Sequence, residues 1–139
     1  MSTPTKTIRQ SELIQGAQPT EVYDALLDGR KHSKLIGSKA TGKAAVGSDF
    51  TAWDGYISGH ILELDPGKRI LQTWLTTEWP EGAEPSQVEW TFEPRNGGTQ
   101  VTLVHSRVPG SQADSYTQGW LDFYWEPMKS YFSDKLTAS

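Results

Sequence analysis

The 139-residue chain contains no cysteine. That absence excludes thiol nucleophiles, thiolate-bound metals and disulfides together. No apolar run approaches the roughly 20 residues that a membrane-spanning helix needs. The opening Met1-Ser-Thr-Pro-Thr-Lys-Thr-Ile8 also lacks the apolar segment of a signal peptide. Positive charge is scarce: 13 Lys and Arg stand against 17 Asp and Glu, for a net charge of −4. Neutralising nucleic-acid phosphates requires the opposite balance, concentrated on one face. The expectation is a soluble cytoplasmic chain with neither a membrane nor a nucleic-acid partner, held together by its core alone.

Aromatic side chains are what the chain has in quantity: six Trp, five Tyr and four Phe. Each carries a large apolar area that suits a core or a pocket wall. At this length one domain is expected, spanning 1–139 with a core of about 6–136. Such a domain buries roughly two-thirds of the surface its unfolded chain exposes.

The order of patterns indicates the fold class. Lys6 to Ile14 alternate and read as a strand. Pro19 suits the first turn of a helix, where its missing N–H is not needed. Glu21, Val22, Ala25 and Leu26 continue that helix toward Asp28-Gly29. A second short helix is expected from about Arg30 to Ile36, stopped by Gly37. From Lys39 to Arg107 the period is two, broken by turn signals at Asp54-Gly55, Asp65-Pro66-Gly67 and Asn96-Gly97-Gly98. From about Gln112 to Leu136 it returns to 3.6. Tyr116, Trp120, Phe123, Tyr124, Pro127 and Tyr131 then share one stripe, and Pro127 should bend the helix. Consecutive strands joined by tight turns pair antiparallel. The predicted class is therefore α+β, a curved antiparallel sheet around a long C-terminal helix.

Gly37-Ser-Lys-Ala-Thr-Gly42-Lys43 matches a P-loop up to its last position, where Ala44 replaces the hydroxyl that would hold magnesium. A helix is expected before it and a strand after it, the reverse of what the motif requires, so nucleotide binding is not expected. Arg30, Lys31, Lys34, Lys39 and Lys43 form a basic stretch, read either as solvated surface or as contact for an anionic partner. His60 and Glu63 lie three apart on a strand and face opposite sides, so they make no ligand pair. His105 continues the inward face of Val101 and Leu103. No catalytic residue, metal or cofactor is assigned, and the chain reads as a non-enzyme.

Several stretches carry a family resemblance. They include Pro19-Thr-Glu-Val22-Tyr23-Asp-Ala25-Leu26, Val46-Gly47-Ser-Asp-Phe50, Trp53-Asp54-Gly55-Tyr-Ile57 and Ile70-Leu-Gln-Thr-Trp74. The strongest are Trp79-Pro80-Glu81-Gly82, Gly119-Trp120 and Tyr124-Trp-Glu126-Pro127-Met-Lys129. From about Thr7 to Phe132 the chain resembles the START-like (SRPBCC, helix-grip) superfamily, and within it the activators of heat-shock protein 90 ATPase. The resemblance implies a C-terminal helix laid across a curved sheet of about seven strands, often with a cavity between them. It also implies a possible chaperone or other protein partner. It implies further that the separate N-terminal domain of the eukaryotic activators, which does much of the stimulation, is not among these residues. It brings no catalytic motif.

Geometry suggests where a ligand would sit. A curved sheet cannot follow a helix along its whole length, so contact should be tight in one place and loose in another. The expected cavity is apolar and lies between helix and sheet, lined by residues drawn from Phe50, Ile61, Trp74, Trp90, Leu103, His105, Trp120 and Tyr124. His105 would offer one orienting hydrogen bond. A small hydrophobic ligand is the leading reading, with the aromatic residues simply filling the core as its structural counterpart. A co-chaperone-like interaction domain and a cyclase- or hydrolase-type enzyme are the alternatives.

Overall fold

The computed structural model describes residues 5–137. In chain order it contains β1 (Thr5–Gln15), α1 (Pro19–Leu27), α2 (Gly29–Ile36), β2 (Asp49–Ala52), β3 (Ile57–Asp65), β4 (Arg69–Thr76), β5 (Ser86–Arg95) and β6 (Gly98–Pro109). A C-terminal helix follows, made of α3 (Ala113–Trp120), a π-helical turn (Leu121–Trp125) and α4 (Glu126–Thr137). The strands form one sheet in the order β1-β6-β5-β4-β3-β2, every neighbouring pair antiparallel. The α+β class stands as expected. The strand number is corrected, from about seven to six among the described residues. Residues 39–48 add no strand of their own: they make the isolated bridge Thr41–Thr51, and Gly47, at a φ of 86°, turns the chain into β2 with its N–H donated to the Ile61 carbonyl of β3.

Local chemistry explains the element ends. The Glu21 carboxylate accepts the Gln18 N–H at the start of α1 (3.0 Å). Asp28 closes α1 and opens α2, its carboxylate accepting the N–H groups of Arg30 and Lys31. Those bonds, the one from Lys31 first, hold the Asp28 carboxyl below its ordinary pKa. Gly37 then ends α2 in the left-handed conformation. The near P-loop thus follows a helix and leads into β2, not the strand–loop–helix order of a phosphate cradle.

Gly59 shows how tightly β3 packs. A Cβ there would lie 2.0 Å from the Thr73 carbonyl oxygen and 2.7 Å from the Phe50 ring. Phe50 pairs with Gly59 across β2 and β3 and covers the space a side chain would fill. Gly59→Ala should cost about 3 kcal/mol, the upper end of the overpacking range, because the obstacle is backbone rather than a flexible tip. Equilibrium urea unfolding measures this, and a loss under about 0.5 kcal/mol would contradict the contact.

The C-terminal helix does not simply bend at Pro127. The ring of a helical proline collides with the carbonyl four residues back, here that of Phe123. The preceding turn widens instead, and Glu126 N–H donates to Leu121 five residues back. One extra residue in that turn shifts the buried face. Tyr116 and Trp120 point inward before it, Tyr124 and Trp125 within it, and Met128 and Phe132 after it. Phe123, expected on the buried stripe, is 52 % exposed. Among the described residues no helix is long and apolar enough to cross a membrane.

Candidate functional site: an aromatic cleft

The C-terminal helix leans toward one edge of the sheet. Trp125 Nε1 donates to Gln10 Oε1 on β1 (2.6 Å), Gln10 Nε2 donates to the Thr117 carbonyl (3.0 Å), and Lys129 pairs with Glu12 (3.0 Å). These bonds tie the helix over β1, the far edge from β2 and β3. On the β2–β3 side a cleft of about 520 Å³ remains. Its sheet wall is Trp53, Tyr56, Ile57 and Trp74, with Glu78 just beyond β4. Its helix wall is Gln112, Ser115, Tyr116, Gly119, Trp120, Phe123 and Tyr124. Seven of these twelve residues are aromatic.

Three of the residues expected in a cavity line this cleft: Trp74, Trp120 and Tyr124. The other five do not. Phe50 is taken up over Gly59, and Ile61 and Leu103 are buried core. Trp90 is sealed beneath the helix, with ring centroids of Trp120, Tyr124 and Trp125 at 5.5, 6.1 and 5.8 Å. His105 is completely buried and both its nitrogens are committed. Trp120 Nε1 is only a donor, so its bond to His105 Nδ1 (3.1 Å) makes that nitrogen the acceptor and places the proton on Nε2. Nε2–H then donates to Ser86 Oγ (2.7 Å), and Ser86 donates to the Trp74 carbonyl (2.8 Å). Burial pushes the His105 pKa down to about 3. The expected orienting hydrogen bond from His105 to a ligand is therefore corrected: the ring is a neutral brace under the cleft floor.

A second buried histidine braces the other side. The Tyr124 hydroxyl donates to His32 Nε2 on α2 (2.9 Å), and the other ring nitrogen bonds the Leu26 backbone. Burial lowers the His32 pKa to about 4 and raises that of Tyr124. Sequence periodicity placed His32 on a short helix without showing that it faces inward, because an eight-residue basic helix carries few apolar markers.

Polar groups at the mouth satisfy one another. The Tyr56 hydroxyl donates to the Glu78 carboxylate (2.6 Å), and burial with this bond pushes its pKa up to about 12. Tyr116 donates to Gln112 Oε1 (3.0 Å) and accepts from Thr76 (2.7 Å), while Gln112 Nε2 donates to the Glu78 carbonyl (2.7 Å). The Trp79 ring stacks on Tyr116 at 6.0 Å and closes that end. His60 and Glu63 bond to Asp49 and Arg69 respectively, on the exposed sheet edge. Among the described residues no cluster of His, Asp or Glu could hold a metal.

Comparison with known proteins places the chain in a family. The family described as "Activator of Hsp90 ATPase homolog 1-like protein" matches residues 16–133. Activator of 90 kDa heat shock protein ATPase homolog 1 from Homo sapiens is 30 % identical over 114 residues, covering 82 % of this chain and 33 % of the relative. The homologue from Dictyostelium discoideum is 31 % identical over 130 residues, covering 93 % and 33 %. The chain thus spans about a third of the length of these relatives. An HSP90 activator from Plasmodium falciparum shares the fold at a TM-score of 0.79 and 21 % identity, covering 93 % of this chain and 96 % of that one. The fold and the match over most of its length agree: the chain belongs to the Activator of Hsp90 ATPase homolog 1-like protein family.

Proposed function

We propose that this domain binds a small hydrophobic ligand, without catalysing its conversion, in the cleft between the C-terminal helix and the β2–β3 side of the sheet. One observation carries the reading: a 520 Å³ cleft whose wall is mostly aromatic. That volume lies in the range of small-molecule sites, and an aromatic lining with a few polar groups is their usual composition. The ionisable groups nearby are occupied by each other, which suits holding a molecule better than transforming it. The absence of cysteine fits a reducing compartment, and we place the domain in the cytoplasm. Titration with flat aromatic compounds and long-chain acids, followed by tryptophan fluorescence and melting temperature, tests the proposal. A ligand at a hundred times its Kd should add about 2.7 kcal/mol of stability. If no compound shifts either signal at millimolar concentration, the cleft is not a ligand site.

A second reading follows from the relatives, which are named as activators of the 90 kDa heat shock protein ATPase. On this reading the domain docks on a chaperone. Val46, 63 % exposed, and the exposed basic residues Lys39 and Lys43 offer surface for it. Since these 139 residues match only a third of each relative, we expect them to give little stimulation by themselves. A steady-state ATPase assay decides this: stimulation comparable to a full-length activator would move the docking reading to first place.

A further inference from the structure

Trp53 is unusual in three independent ways. Its backbone has a φ of 52°, a conformation that bulky residues rarely adopt. Its indole Nε1 is buried without a hydrogen-bond partner, the one such side-chain atom found among the described residues. It also forms part of the cleft wall. Strained backbone and unpaired buried donors each carry a cost, and they persist where the surrounding structure imposes them, commonly at binding sites. Asp54 N–H donates to the Lys39 carbonyl (2.9 Å) and Tyr56 N–H to the Trp53 carbonyl (3.2 Å), which holds the strained turn in place. The ring packed edge-on against the indole is Phe123, with centroids 5.1 Å apart. Phe123 is half-exposed, so a rotamer change there gives up little buried area.

The charge of the wall narrows the ligand further. Glu78 is the one charged residue among the twelve, and no Lys, Arg or His belongs to the lining. An anionic head would leave water for a site with no cation to receive it and a carboxylate at the mouth. Resting on the reading of the cleft as a ligand site, we infer that its ligand is an aromatic molecule without negative charge, carrying a carbonyl-type oxygen that accepts the Trp53 indole N–H once Phe123 swings aside. The ring system fills the aromatic walls, the oxygen ends the isolation of the buried donor, and long-chain carboxylates are disfavoured.

Three probes of nearly equal size separate these demands. They are 2-acetylnaphthalene, with a neutral acceptor; 2-ethylnaphthalene, with none; and 2-naphthoate, an anion. Calorimetry with the whole protein should show 2-acetylnaphthalene bound about fivefold to tenfold more tightly than 2-ethylnaphthalene, the contribution of one neutral hydrogen bond. 2-Naphthoate should bind most weakly. Trp53→Phe keeps a ring and the same backbone demand but deletes the donor, and it should make the two neutral probes equal. A readout without substitution uses the Trp53 indole N–H resonance, assigned through its proximity to Phe123. It should move downfield with 2-acetylnaphthalene and not with 2-ethylnaphthalene. Equal binding of the neutral probes to the unsubstituted protein, a preference that survives Trp53→Phe, or tightest binding by 2-naphthoate would overturn this inference while leaving the cleft a ligand site. Failure of all three to bind would overturn the ligand site itself.

Discussion

Lowering the pH from 7 to 5 should remove about 4 kcal/mol of folding stability, through the two histidines that the core holds neutral. Unfolded, each has a pKa near 6.5. Folded, burial holds His32 at about 4 and His105 at about 3. Between pH 6.5 and 4 the unfolded chain therefore takes up a proton at each site and the native state takes up neither. The unfolded state binds more protons, so stability is fully present above pH 6.5 and falls as pH falls. Each pH unit on that slope is worth about 1.4 kcal/mol per histidine, and pH 5 lies about 1.5 units down it for both. The geometry of His105 agrees with the direction, because a second proton on Nδ1 would face the Trp120 N–H it now accepts. Urea unfolding at pH 7, 6 and 5 measures the effect. A change below about 1 kcal/mol over that range would mean that both rings accept protons in the native state. His105→Gln should remove about half of the pH dependence, whatever it costs at pH 7, since its amide does not titrate.

Trp120→Ala is expected to cost about 3–5 kcal/mol, as large-to-small changes of buried tryptophan do. Trp120 is 3 % exposed, and its ring lies 5.5 Å from Trp74, 5.5 Å from Trp90 and 4.9 Å from Tyr124. Two losses combine. The cavity left behind cannot collapse between strands fixed by their ladders, and His105 Nδ1 becomes a buried acceptor without a donor. Trp120→Phe separates them, retaining much of the packing while orphaning the same nitrogen. It should cost about 1–3 kcal/mol, the range for an unsatisfied buried polar group. Unfolding free energies of the two variants supply the comparison. A loss under about 1 kcal/mol for Trp120→Ala would place the helix face in solvent and contradict the packing described above.

Much of the architecture was legible because it rests on local rules. Alternation in β5, the Asn96-Gly97 turn and Gly37 behind α2 each act within a few residues, and the structure places them as read. Residues 39–48 share the period of the strands around them, yet make one bridge, since periodicity does not say whether a partner strand lies alongside.

The sequence by itself determined the α+β class, the element order and an aromatic helix that must lie against the sheet, because burial follows the spacing of apolar side chains. Only the tertiary structure decided which of those aromatics enclose open space. Pro127 widened the turn before it and moved Phe123 out and Trp125 in, a phase shift that a straight 3.6-residue wheel does not contain. The bonds from Trp125 and Lys129 to β1 set the lean of the helix, and through it the side on which the cleft opens. His105 was read correctly as inward-facing, yet its two hydrogen-bond partners come from two other elements, β5 and α3, and spacing along one strand cannot show that both nitrogens are occupied. Trp53 carried no periodic signal at all, since its place in the wall depends on a strained turn and on a helix 70 residues later in the chain.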